Sequence, residues 1–508
     1  MSHVARSALI IAVFIALEKG LGFVRQVIIA RQFGLSGELD AFNAANNLPD
    51  LIFALISGGA LAVAFIPVLT EYLEKRGRQQ MWDLFSRILN LVFLVTVGLS
   101  LLIIIFANQL VGSGLGIAPG FDAQQQALVV DLMRMNLVAT LLFSISGLVI
   151  AGLQSNQHFL LPALARSMYD IGMLIGVVIL VPETGFTIGP ITLPALGLGV
   201  YGLAYGTIIG AFLFLAIQVP GLIHFKFHWT PAIDLKHPGV RQVLSVMAPR
   251  IGTVFFIYLV LIYIPDNIAS RLPEGSVTTL VFGWLFMQLP ETLIGTAIAT
   301  ALLPTISEQF TRGKKSAFLR SINHGLKVIL ALTIPSAVFL AIALPPVVEL
   351  LGFDETGTEM VIWTARAFLL GLTGHALIDL AARAFYAQQD ARTPLWASGL
   401  MVLTFTVLAL GLAYFLDVVG IALANAIAFT AEALLLLFML NRRYPGVLKT
   451  GKTLPRVIFG TAMSALVVLT LIKLPLLPDL FMMIAALGVG VIVMLPFLWP
   501  EIKLLIKL

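Results

Sequence analysis

Long apolar stretches separated by short polar connections run along the whole chain. A helix of about 20 mainly apolar residues spans a bilayer, and about fourteen stretches reach that length. Their approximate limits are 7–33, 41–70, 84–110, 125–153, 159–182, 195–223, 240–265, 276–303, 318–345, 358–386, 394–416, 418–440, 455–474 and 478–500. The pattern predicts an all-α polytopic membrane protein. The first stretch is too long and too charged for a signal peptide, so we take it as the first spanning helix.

The connections between these stretches alternate in charge. Lys and Arg gather in every second connection, at 75–87, 226–241, 312–320 and 442–456, whereas the others are mainly acidic. Basic connections favour the cytoplasm. We therefore expect both termini to be cytoplasmic, which requires an even number of spanning helices.

The chain also repeats itself. The segment 64–71 (AFIPVLTE) is echoed by 301–308 (ALLPTISE), 237 residues later, and Gln157, Pro162 and Ala165 are echoed 232 residues later by 389, 394 and 397. Six predicted helices separate the copies, so both halves have one orientation and are expected to be related by an axis along the membrane normal. We predict a first lobe at 1–224, a second at 225–445 and two additional helices at 446–508.

Composition restricts the function classes. Hydrophobic residues make up 59% of the 508 and charged residues only 11%, with a mean hydropathy of +1.00, whereas soluble chains carry about 25% charged residues. The absence of cysteine excludes disulfides, thiolate catalysis and Cys-based metal sites. The net charge of +5 is modest, and we expect no nucleic-acid partner. No HExxH motif or Walker A loop occurs, so we expect no enzyme, catalytic residue, metal or cofactor.

Several ionisable residues fall inside predicted spans, where they are costly and usually face a cavity or a partner. They are Glu18, Lys19, Arg25, Asp50, Arg250, Glu291, Arg366 and Glu432. Glu18, Gly22 and Arg25 share one helical face. We expect Lys19 and Arg25 to face a cavity, with a Glu18 partnership as the alternative. For Arg250, a cavity and a structural pairing are equally supported.

Two other charged pairs have the i, i+4 spacing of local ion pairs on one helix. They are Arg166 with Asp170, and Asp379 with Arg383. We expect both to be structural.

Proline and glycine interrupt helices two and eight at corresponding places. The residues are Pro49, Gly58 and Gly59 in helix two, and Pro290 and Gly295 in helix eight. Interruptions at matching positions of two repeats indicate a transport pathway; ordinary kinks satisfied by neighbouring helices are the alternative.

Particular motifs resemble a known family. Gly22-Phe23-Val24-Arg25, Ala30 to Gly34, Asp40-Ala41-Phe42, Leu48-Pro49 and Gly59 to Pro67 resemble the opening of the MurJ (MviN) lipid II flippases, and Leu289 to Pro304 resembles their eighth helix. That family belongs to the multidrug/oligosaccharidyl-lipid/polysaccharide superfamily. The resemblance implies two six-helix lobes around a central cavity, plus two helices that form a lipid-facing groove.

The resemblance also implies site residues. Arg25 would contact the substrate pyrophosphate, Asp40 would lie near the outer gate, and Lys19 stands where the family usually has arginine. The family pattern has arginines where this chain has Phe53, Ala54 and Leu285, and a glutamate at Gly58. Arg250 or Arg366 would then replace the missing cations, or the substrate would differ. The predicted substrate-binding residues are thus Lys19, Arg25, Asp40, Arg250 and Arg366.

The leading hypothesis is a flippase in the bacterial cytoplasmic membrane that moves a polyprenyl-pyrophosphate-linked glycan, lipid II above all, by alternating access. The partners would be this substrate, membrane lipids and a coupling ion or the membrane potential. Alternatives are a Wzx-like flippase for another lipid-linked oligosaccharide and a MATE-like exporter of small molecules. A membrane-embedded phosphatase and a non-transporting scaffold are hypotheses from other classes.

Overall fold

A computed structural model describes the backbone of residues 3–56, 59–474 and 479–505, and most of their side chains. The described part is helical except for a two-residue hairpin, Thr187–Ile188 with Ile191–Thr192. It divides into two compact units, Met1–Tyr258 and Leu259–Leu508. The division falls inside helix seven. The predicted boundaries at 224 and 445 rest on the repeat and stay a prediction.

The first unit contains ten α-helices in its described part. They are α1 (His3–Phe33), α2 (Gly37–Ala45), α3 (Asn47–Ile56), α4 (Gly59–Arg76), α5 (Arg78–Gly112), α6 (Ala123–Ser155), α7 (Leu160–Ile175), α8 (Val200–Ala216), α9 (Val219–His224) and α10 (Pro238–Tyr258). A π-helical turn, Gly176–Leu180, extends α7.

The second unit contains nine α-helices among its described residues. They are α11 (Ile264–Ala269), α12 (Ser276–Pro290), α13 (Ala297–Thr311), α14 (Lys315–Glu349), α15 (Glu355–Leu370), α16 (Leu372–Ala387), α17 (Arg392–Arg443), α18 (Thr453–Leu471) and α19 (Asp479–Leu505). π-helical turns occur at Leu259–Tyr263 and Glu291–Thr296.

These elements agree with the predicted spans. Ten segments of the described chain are long and apolar enough to cross a membrane. One of them, α17, contains two predicted spans, separated at Asp417, where φ is 47° and ψ is −136°. The remaining predicted spans correspond to α1, to α3 with α4, and to α10 with α11. The fold class predicted from the sequence is therefore confirmed.

Each unit has its own apolar core. In the first, Phe65, Trp82 and Phe85 pack between α4, α5 and α6, and the connection after α9 covers them. In the second, Leu302 and Phe385 belong to a core built by α13, α14, α16 and α17. The helices of each unit are thereby fixed to one another.

The interruption predicted in helix eight is present in the structure. In helix eight, the chain leaves the α-helical pattern directly after Pro290, through the π-helical turn that contains Gly295. Proline has no backbone N–H, so it cannot form the i to i−4 hydrogen bond of an α-helix. The π-helical turn is a local departure from that pattern. In helix two, the described parts are α3, up to Ile56, and α4, from Gly59; the predicted interruption at Gly58 lies outside the described residues.

Candidate functional site

The most buried ion pair in the described part of the first unit joins α1 and α7, which correspond to the first and fifth predicted spans. Arg25 of α1 donates from Nη1 to Oδ1 of Asp170 on α7 over 2.7 Å, and the two side chains are 16% and 6% exposed. The guanidinium carbon also lies 5.4 Å from the ring centre of Tyr169. A cation inside a span is held by such polar and aromatic partners. Arg25 is thus bound within its own unit in this structure.

A second, looser charge group lies on the same helix pair. Glu18 approaches both Lys19, at 3.6 Å, and Arg166, at 3.9 Å. The two cationic side chains are 57% and 62% exposed. Contacts of this length between exposed groups contribute little to stability. The cations are therefore available to a further anion.

These contacts correct one prediction. The expected local pair of Arg166 with Asp170 is wrong, because Asp170 turns to Arg25 and Arg166 turns to Glu18. The order of the charges along the two helices could have predicted these pairs. Towards the C-terminus, α1 has an acidic and then a basic residue, whereas α7 has a basic and then an acidic residue. Two helices that run in the same direction can therefore form both ion pairs. The expected face shared by Glu18, Gly22 and Arg25 is confirmed.

Small residues position the charged face of α7. A Cβ on Gly172 would lie 2.2 Å from Cα of Gly210, and one on Gly176 would lie 2.7 Å from Cα of Gly206. Such contact between backbones is typical of helix pairs with small residues in membranes. On α1, Gln32 donates to the carbonyl of Val177 over 2.8 Å, within the π-helical turn. Asp170 is accordingly presented from a rigid support.

Asp40 lies in the first turn of α2. Its side chain is buried, and the Ser36 hydroxyl caps the helix by accepting from the N–H of Leu39. A carboxylate in the first turn of a helix is stabilised by the backbone N–H groups there. A role of Asp40 in substrate binding stays a prediction.

Arg366 of α15 forms a hydrogen bond to a backbone carbonyl of α14 that a proline leaves without its helical partner. Pro345 has no N–H to donate, which leaves the carbonyl of Ala341, four residues earlier, without its helical partner. Arg366 Nε donates to this carbonyl over 3.2 Å, and its guanidinium lies 4.9 Å from the ring centre of Trp363. No carboxylate among the described residues forms an ion pair with it within 4 Å. Its terminal N–H groups thus keep donor capacity.

Arg366 also lines a groove within the second unit. The groove has a volume of about 720 Å³ and lies between α14, α15, α18 and α19. Apart from Arg366 and Glu349 its lining is mainly apolar, including Leu469, Ile472 and Met482. At the opposite end of α18, Arg456 and Thr453 bind Glu501 of α19. The two additional helices therefore border an apolar groove with one arginine in its wall.

The positions where the family pattern has other residues are mostly apolar here. Phe53 packs with Phe143 of α6 at 5.7 Å between ring centres, and Leu285 lies in α12. The side chain of Arg250, one of the predicted replacements, lies outside the described residues.

A further group of charged residues links the π-helical turn at Glu291–Thr296 to α16. Asp379 and Arg383 form the predicted i, i+4 pair at 3.1 Å, which confirms that expectation. Thr296, which the sequence did not single out, lies within hydrogen-bond distance of both Glu291 and Asp379. No group of three or more potential metal ligands occurs among the described residues.

Comparisons with known proteins agree on one family. The family model described as "Lipid II flippase MurJ" matches residues 29–493. The lipid II flippase MurJ of Burkholderia cenocepacia is 31% identical over 412 residues, which are 78% of this chain and 76% of that protein. A probable lipid II flippase MurJ of Vibrio cholerae is 26% identical, covering 85% of this chain and 82% of that protein.

Solved structures show the same fold. A lipid II flippase MurJ in an inward closed conformation matches with a TM-score of 0.79 and 22% identity, over 98% of this chain and all (100%) of that one. An inward-facing MATE family multidrug transporter matches with a TM-score of 0.69 and 15% identity, over 87% and 99%. At these identities, the likeness establishes the architecture.

Proposed function

Since this chain belongs to the lipid II flippase MurJ family, we propose that it carries lipid II, the polyprenyl-diphosphate-linked peptidoglycan precursor, from the inner to the outer leaflet of the bacterial cytoplasmic membrane. The observation that carries the proposal is the family match over residues 29–493. The protein is a transporter and no covalent chemistry is required of it. The exporter alternative has only the shared MATE fold in its favour, at 15% identity.

The head group needs fixed positive charge in a medium of low dielectric constant. Guanidinium groups bind phosphate oxygens through pairs of parallel hydrogen bonds, whereas an ammonium acts as a point charge. We assign the diphosphate to Arg25 as the oriented contact and to Lys19 as an additional charge. Arg25 is ion-paired and mostly buried, whereas Lys19 is largely exposed. Both lie on the same helix.

The other predicted residues receive supporting roles. Arg366 projects into an apolar groove, which suits an arginine near the lipid-linked part of the substrate, while the polyprenyl tail stays in a hydrocarbon environment. Asp40 belongs to the outer gate, and Arg250 supplies a further cation. The last two assignments rest on the sequence.

Alternating access moves the head group, and the membrane potential or a coupling ion provides the energy. Both termini are cytoplasmic in this proposal, because Lys and Arg gather in every second connection. The substrate then enters from the side on which it is made.

Complementation tests the proposal. In cells depleted of their own lipid II flippase, the unmutated protein restores growth. Arg25→Ala lowers the plating efficiency by more than about 100-fold, because each charge-assisted hydrogen bond to phosphate contributes about 1.5–3 kcal/mol. Arg134→Ala is the control, since this arginine on α6 has a long contact at 3.7 Å with Asp131 and a weak hydrogen bond of 3.5 Å to the carbonyl of Ile104, both away from the Arg25 group.

Membrane levels of each variant are measured by immunoblot. Normal growth with Arg25→Ala at wild-type level would remove Arg25 from the substrate site. Absence of rescue by the unmutated, membrane-inserted protein would instead point to a different lipid-linked glycan.

A further inference from the structure

The guanidinium of Arg25 is incompletely satisfied by its partner. Only Nη1 donates to Asp170, whereas Nε is buried without an acceptor among the described residues. A buried N–H without a partner is unfavourable. A ligand with several acceptor oxygens, such as a diphosphate, can satisfy both edges of the guanidinium, and a single carboxylate oxygen does not.

Asp170 occupies the donor that a phosphate oxygen would use. A carboxylate and a phosphate compete for the same fork of an arginine, because both offer anionic oxygens at hydrogen-bond distance. Beside the pair, Gly22 presents no side chain, and an added Cβ would touch Oδ1 of Asp170 at 3.7 Å. The Asp170 carboxylate therefore lies close to the backbone of α1, next to the guanidinium for which it competes.

A second guanidinium is presented nearby on α7. Arg166 precedes Asp170 by one turn and is 62% exposed, and its only ion pair among the described residues is with Glu18, at 3.9 Å. Together with Lys19, the ion pairs contain three cations and two carboxylates, and Asp50 of α3 is a third carboxylate near Tyr169. An exposed arginine that is held by one long contact can turn to an incoming anion.

We propose that Asp170 is a substitute anion, which holds Arg25 while the transporter is empty and yields it to the substrate diphosphate, and that Arg166 is the second guanidinium that then binds it. The proposal rests on the proposed function. It gives Arg166 the role of the arginines that Phe53 and Leu285 replace in this chain. Each phosphate group of the substrate thereby meets one guanidinium.

The exchange also explains release. After the diphosphate leaves, Asp170 returns to Arg25 and lowers the tendency of the substrate to rebind. Removal of this competitor strengthens binding and slows turnover, whereas removal of Arg166 weakens binding. These opposite effects distinguish the proposal from a purely structural ion pair, whose loss lowers stability without tightening binding.

Binding is measured for the whole protein in lipid nanodiscs, with lipid II, polyprenyl diphosphate and polyprenyl monophosphate as probes. Asp170→Asn binds the diphosphate probes about tenfold more tightly, because a charge-assisted hydrogen bond is roughly twice as strong as a neutral one and the competitor has lost its charge. Asp170→Glu keeps the charge and stays near wild type. Asp131→Asn is the matched control.

Arg166→Gln weakens binding of the diphosphate about threefold to tenfold and of the monophosphate less, as expected for an exposed cation that meets the second phosphate. Arg312→Gln is its control, since Arg312 has the same exposure of 62% and pairs with Glu308. In complementation, Asp170→Asn rescues less well than wild type in spite of its tighter binding.

The possible outcomes distinguish a failure of the anion exchange from a failure of the proposed function. If the unmutated protein binds lipid II, but Asp170→Asn binds no more tightly than wild type or Arg166→Gln no more weakly, the exchange is refuted and the proposed function stands. If Asp170→Asn does not fold, the result for Arg166→Gln alone decides. If the unmutated protein binds neither lipid II nor polyprenyl diphosphate, the proposed function fails first.

Discussion

Two glutamines, Gln157 and Gln389, adopt left-handed backbone conformations with φ of 61° and 60°. Residues other than glycine, asparagine and aspartate seldom adopt this conformation. The two positions are 232 residues apart, as the echo in the sequence predicts, and each ends the helix before a cytoplasmic connection in the predicted orientation. The internal repeat is therefore found in the backbone conformation of equivalent residues as well as in the sequence.

Asp390, next to the second glutamine, caps α17. It accepts from the N–H and hydroxyl of Thr393 and from Arg443. Burial raises its pKa, but the bonds from Thr393 and Arg443 outweigh burial and lower the pKa to about 2. Because the folded pKa lies below the unfolded value of about 3.9, the stabilisation is present above pH 4 and disappears as the pH falls towards 2.

We accordingly expect Asp390→Ala to lower the free energy of unfolding by about 1–2 kcal/mol at pH 7, as for other helix caps. The difference from wild type should narrow below pH 4. Thermal unfolding in detergent between pH 3 and pH 7 provides the measurement, with Glu308→Ala in an exposed ion pair as the control. A difference that persists unchanged at pH 3 would contradict the assigned cause.

At the scale of residues, the sequence predicts which charges are unusual but not which of them meet. Arg25 and Glu18 are recognisable because they lie in an apolar span. Their partners depend on which face of α7 packs against α1, and that face is selected by the glycines that bring α8 to its other side. The contact of Arg366 with the carbonyl freed by Pro345 likewise requires knowledge of neighbouring helices.

The elements of this protein are fixed to each other by close backbone contact as much as by side chains. Gly172 and Gly176 of α7 face Gly206 and Gly210 of α8 with no room for a Cβ. In a bilayer, where apolar side chains gain little from leaving lipid, such contacts carry much of the association between helices. They hold α7, and with it Asp170, in place.

Gly172→Ala should therefore lower the free energy of unfolding by about 1–3 kcal/mol, the usual cost of overpacking. Thermal unfolding of the purified protein in detergent tests this. Gly98→Ala on α5 is the control, since no atom lies within 4 Å of its added Cβ and alanine favours helix by up to about 1 kcal/mol. Equal stability of the two variants would show that α7 and α8 do not pack this closely.

For the whole molecule, the repeat predicts features that lie far apart in the chain. Asn90 on α5 donates to the carbonyls of Thr230 and Ala232, and Asn323 on α14 donates to those of Val447 and Lys449. In each half of the chain, the third predicted span thus forms hydrogen bonds to the connection that follows the sixth predicted span of that half. Pro67 and Pro304 also fall on equivalent helices, α4 and α13. The π-helical turn at Glu291–Thr296 follows Pro290, where the sequence predicts an interruption, whereas the turns at Gly176–Leu180 and Leu259–Tyr263 were not predicted.

The orientation can be tested directly, because the chain contains no cysteine. Gln79 and Gln124 are both exposed, at the start of α5 and α6. We expect Gln124→Cys to react with a membrane-impermeant maleimide in intact cells whose outer membrane has been opened. Gln79→Cys should react only after the inner membrane is permeabilised, with labelling differing by more than about tenfold, since Lys and Arg favour the cytoplasmic side and the connection before α5 is basic. The reverse labelling would invert the topology.

The single left-handed residue between the two halves of α17 has a further consequence. Asp417 is the only non-helical residue between the two halves of α17. The halves also pack closely, because a Cβ on Gly420 would clash with the carbonyl oxygen of Leu412. An epitope or a fluorescent reporter inserted there would force the two helices apart. The longer connection around the hairpin 187–192 offers exposed chain instead. In the predicted orientation this connection lies on the outer side of the membrane, so a reporter tag for that side belongs there.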